Sequence, residues 1–169
     1  YYQMLECMYG KHPIRNRIAG TAETVAEITE ETLQRAYACY YTTDEMALVC
    51  AGDIPLGEVR RMAEHVARRE TAARVYFPTE DAEIAEKYRA CEMRLSVPQF
   101  QIGCKLPPLP KQDWLKKRMA AGFCMELLAG ESSVFFQKAY EWDWLDEALG
   151  STFFCGEGYA FAAFSGSGT

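Results

Sequence analysis

The 169-residue sequence predicts an α+β protein made of two units joined by an acidic linker. Three observations carry this. Thr21 and Thr29 each stand where a helix N-cap belongs, eight residues apart. A short apolar run, Met46–Ala51, closes in Gly52-Asp53 and reads as a buried strand. After a break at residues 70–85, the second half reads strand, helix, helix, strands.

The elements follow in order. Tyr1, Met4, Leu5 and Met8 have the spacing of an amphipathic helix, so Tyr1–Tyr9 is expected to be a helix tail that began upstream. Lys11–Ala19 is a loop broken by Pro13. Thr21 caps a short helix over 22–28, with Glu23 near its positive end. Thr29 caps a second, with Leu33, Ala36, Tyr37, Tyr40 and Tyr41 as its apolar face. Pro55 opens a helix lined by Val59, Met62, Ala63 and Val66. Pro78 and the acidic Glu80, Asp81 and Glu83 mark an inter-domain linker, and residues 86–95 an extended segment. Pro98–Lys105 alternates as a half-buried strand does. Trp114–Ala129 is a helix ended by Gly130, and Ser132 or Ser133 caps the next one. Ser151–Ser165 reads as two strands around Gly156-Glu157-Gly158.

Composition narrows the function. A net charge of −6 argues against nucleic acid, whose phosphates require a basic face. No apolar run approaches the roughly 18 residues of a membrane-spanning helix, so no membrane partner is expected. Seven cysteines without CxxC spacing read as reduced thiols and so as a cytoplasmic compartment.

His12 invites a metal reading, but a histidine pair needs its second member close by, and His65 lies far along the chain. A loop role for His12 is therefore favoured over a ligand role. Arg61-Met62-Ala63-Glu64-His65 has the spacing of an inverted zinc motif, yet an arginine cannot ligate zinc. Neither a glycine-rich phosphate loop nor a GxSxG nucleophile turn occurs. Trp142 and Trp144 around Asp143 read as a buried domain contact in preference to a binding edge.

The order His12-Pro13, Gly20-Thr21, Glu23, Ile28-Thr29, Tyr40-Tyr41, Met46 and Gly52-Asp53 resembles the pitrilysin or insulinase (M16) family of zinc metallopeptidases. Gly103, the turn Gly130-Glu131-Ser132-Ser133 and the helix from Val134 look like the start of that family's second repeat. Tyr140-Glu141-Trp142-Asp143-Trp144-Leu145-Asp146 is similar to a pattern of its bacterial two-domain branch.

The resemblance implies an internal fragment carrying two incomplete repeats of the mitochondrial-processing-peptidase-like fold. Their sheets would be mixed and mostly antiparallel, with helices packed on one face. Residues 1–69 would be the back half of the first, catalytic-type repeat, 70–95 a linker and extended segment, and 96–169 the front half of the second, non-catalytic repeat. The parent would be a zinc endopeptidase acting on peptides or small proteins inside a two-domain chamber. Its HxxEH ligands and general base would lie upstream of Tyr1, leaving this fragment with no catalytic, cofactor or metal residue and no activity of its own. His12, Pro13, Gly20, Thr21, Gly52 and Asp53 would be structural signature residues. The family's substrate-holding arginine and tyrosine would fall on Tyr140 and Glu147, a departure that leaves those positions without a carried-over role. A non-catalytic family partner or scaffold is the competing reading, and an unrelated small α+β enzyme a third. Open strand edges would favour a homo-oligomer or a paired M16-like subunit.

Overall fold

The computed structural model describes residues 1–66, 76–78, 80–145 and 149–167. Its elements are α1 (Tyr2–Met8), α2 (Ala22–Ala26), α3 (Glu30–Tyr40), α4 (Leu56–Glu64), β1 (Gln99–Leu106), α5 (Trp114–Ala129), α6 (Val134–Glu141), β2 (Gly150–Gly156) and β3 (Tyr159–Ser167). They form two compact units, one of residues 1–18 with 77–169 and one of residues 19–76. Helix α1 thus packs with the second half of the chain.

In the first unit β3 lies between β1 and β2, antiparallel to both. β1 and β2 therefore run parallel, joined through α5 and α6, with a third strand inserted between them. This is a split β-α-β arrangement. Gly156 pairs with Tyr159, so the β2–β3 connection is Glu157-Gly158 alone. Gly158 has φ +77°, a conformation that side chains with a Cβ rarely adopt.

Helix α1 lies on this sheet at Gly103 of β1. A Cβ there would sit 2.6 Å from Met8 Sδ and 2.9 Å from Met4 Cγ, so glycine lets the two methionines lie directly on the strand where a side chain would push them aside. The resulting core joins Leu5, Met8, Tyr9 and Phe161. The Tyr9 hydroxyl donates to the Ala160 carbonyl at 2.9 Å, which satisfies the one polar group buried with the ring.

Helix α5 packs on β2 and buries Met125 and Ala129. Gly130 ends it in an extended conformation, and the Ser133 hydroxyl accepts the Phe136 N–H to start α6. Trp114–Glu141 together is long and apolar enough to cross a membrane by composition. The Gly130–Ser133 break divides it into helices of 16 and 8 residues, each shorter than the roughly 20 a span needs.

Helix α6 closes in a Schellman motif. The Trp144 N–H bonds the Ala139 carbonyl, and the Asp143 N–H bonds that of Tyr140, with Asp143 at φ +53°. This turn brings the indoles of Trp142 and Trp144 to 4.6 Å. Both remain more than half exposed, so the burial expected of them does not occur within the chain.

In the unit of residues 19–76 the caps form where the threonines stand. Thr21 makes a capping box with Thr24, and the Thr29 hydroxyl accepts the Thr32 N–H. The expected strand at Met46–Ala51 does not form. Its backbone joins no ladder among the described residues, and Leu48 and Val49 are exposed at 62% and 85%. A strand exists only through a paired neighbour, and no strand occurs among the described residues of this unit.

Candidate functional site

A tightly bonded polar cluster is built around His12 and Glu80, within the first unit. His12 caps a 3-10 turn opened by Pro13, whose fixed φ suits that position. The imidazole is 1% exposed, stacks on Phe77 at 5.3 Å and 6°, and touches the rings of Tyr9 and Tyr159. Nδ1 accepts the Ile14 N–H at 3.1 Å, so the ring proton sits on Nε2 and is donated to the Glu157 carbonyl at 3.0 Å. A Cβ on Gly158 would approach Nε2 to 3.2 Å, so the tight hairpin turn also makes room for the ring.

Three consecutive backbone N–H groups then converge on one carboxylate. Gly10 donates to Glu80 Oε1 at 2.9 Å, and Lys11 and His12 donate to Oε2 at 2.9 and 2.6 Å. Lys105 Nζ, from β1, completes the cage at 3.1 Å from Oε1. It gives its remaining protons to the carbonyls of Asp81 at 2.6 Å and Glu83 at 2.9 Å, and lies 4.9 Å above the Tyr9 ring. The two side chains are only 7% and 8% exposed.

Burial alone would raise the Glu80 carboxyl. The three amides and the ammonium outweigh it and bring its pKa down to about 2. Burial, with the Glu80 charge nearby, pushes the Tyr9 phenol upward. Every donor and acceptor of the pair is used, which is the condition for a buried ion pair to be tolerated.

The described part of the acidic segment read as an inter-domain linker is thus anchored to the Gly10–His12 backbone and to β1. Lys11 also pairs with Asp81 at 2.8 Å. Further along, Arg89 bridges Glu6 of α1 at 2.7 Å and Glu86 at 2.6 Å, which raises the guanidinium's affinity for its proton. Residues 67–75 and 79 of the same stretch lie outside the described residues.

The six signature residues divide between the two units. His12 and Pro13 belong to the cluster above. Gly20, at φ +69°, leads into the Thr21 cap, while Gly52 and Asp53 form the exposed turn before α4. His65 lies at the end of α4, its Nδ1 2.6 Å from the Arg61 carbonyl. Glu147, aligned with the family's substrate-holding tyrosine, lies outside the described residues. Tyr140 is 63% exposed and stacks on Phe136 at 6.4 Å.

Among the described residues no three His, Cys, Asp or Glu side chains are placed to share a metal ion. His12 has both ring nitrogens engaged by backbone groups, so the described residues do not fit zinc.

Glu80 and Lys105 were not singled out from the sequence. Lys105 offered a signal, since it shares the inward strand face with Gly103, and an inward charge demands a partner. Nothing local to Glu80 distinguishes it from its acidic neighbours.

The first unit is thus a small split β-α-β sheet to which helix α1 is clasped through Tyr9, Glu80 and Lys105. The family model described as the peptidase M16 inactive domain matches residues 27–169. The chain belongs to this family. It is 27% identical to a Bacillus subtilis (strain 168) protein named as the uncharacterized zinc protease YmfH, over 98% of the chain and 40% of that protein. The crystal structure of an M16-like peptidase from Alicyclobacillus acidocaldarius superposes with a TM-score of 0.86 at 24% identity, over 99% of this chain and 41% of that one. The chain therefore spans about two fifths of the length of these relatives. The α+β fold expected from the sequence is the fold that this M16-like structure shares.

Proposed function

We propose that these residues form the non-catalytic middle of a zinc-dependent endopeptidase that cleaves peptides or small proteins inside a two-domain chamber. The match to the M16 inactive domain over residues 27–169 carries this reading, and a relative named as a zinc protease supports it. On this reading zinc and the general base belong to other parts of the protein, and residues 1–169 supply chamber wall. Relatives from Bacillus and Alicyclobacillus favour a bacterial source, and thiols without disulfide spacing favour the cytoplasm. The outer edges of β1 and β2, unpaired among the described residues, suit pairing with a second copy or an M16-like subunit.

The test compares two preparations. The full-length protein should cleave a quenched peptide, with activity lost to a chelator and restored by zinc. Residues 1–169 alone should neither cleave it nor hold stoichiometric zinc by metal analysis. Full-length protein that binds no zinc and cleaves nothing would replace the peptidase reading with that of a family partner or scaffold. One zinc per chain in residues 1–169 would overturn the assignment of the metal to other parts of the protein.

A further inference from the structure

We draw no further inference here: the strongest candidate, the exposed apolar face of α5 formed by Leu115, Met119, Phe123 and Leu127, carries nothing because nothing in the structure shows what covers it.

Discussion

The unit of residues 1–18 and 77–169 and the unit of residues 19–76 place their polar and apolar groups in opposite ways. The first buries a histidine, a glutamate and a lysine among rings and satisfies each of them. In the second, Leu33, Tyr37, Tyr40 and Tyr41 line α3 as the sequence pattern requires, yet each is more than half exposed. Thr42 is the one buried residue among the described residues of that unit. Helix formation and burial are thus separable. Caps and spacing suffice to write a helix, whereas a core requires a second surface at the right place.

The sharpest way to break this comparison is at Glu80. Glu80→Ala leaves the Lys105 ammonium buried without its carboxylate, and such a loss costs about 3–5 kcal/mol. All three tryptophans, at 114, 142 and 144, lie in the first unit, so their fluorescence in a urea titration reads this loss directly. An unchanged midpoint would mean that the clasp contributes nothing to stability.

The same residue predicts an acid dependence. The carboxyl sits at about 2 in the folded protein, below its ordinary value near 4.5, so its contribution is complete above the ordinary value. It is lost as pH falls from there toward 2, and amounts to about 3 kcal/mol at roughly 1.4 kcal/mol per unit. In Glu80→Gln the fall in stability across this window should shrink by that amount. Equal slopes for the two proteins would remove Glu80 as its source.

A smaller effect is expected at Gly103. Gly103→Val forces a side chain against Met4 and Met8 and should cost about 1–3 kcal/mol, read from the same fluorescence midpoint. A neutral result would show that α1 yields freely on the sheet. The smallest effect belongs to the other unit. Leu33→Ser on the exposed face of α3 should change stability by less than about 0.5 kcal/mol and leave the helical circular dichroism unchanged. A large loss there would mean that α3 is covered in solution and that the contrast between the units is false.

Elements with local causes were legible in advance. The caps at Thr21, Thr29 and Ser133 formed as expected, as did the hairpin at Gly156-Glu157-Gly158. Each depends on groups within a few residues of one another. The strand before Pro107 also formed, but Gly103 and Lys105 face inward while Ile102 and Cys104 are exposed, the reverse of what its apolar alternation indicates. The Met46–Ala51 run was misread because an apolar run reports a wish for burial, while a strand needs a partner's backbone. The cluster at His12 was half legible: Pro13 announced the loop, but no local pattern announced its clasp.

By itself the sequence determined the helices, the turns, the extent of β1 and the order of motifs that marks the family, because dihedral preference and capping act over short range. Only the tertiary structure decided that Glu80 of an acidic run, and not Asp81 or Glu83, would enter a cage of three amides and Lys105. Those donors lie 68 to 70 residues before Glu80 and 25 after it. A buried charge is tolerated only where separate parts of the chain bring enough donors to replace water.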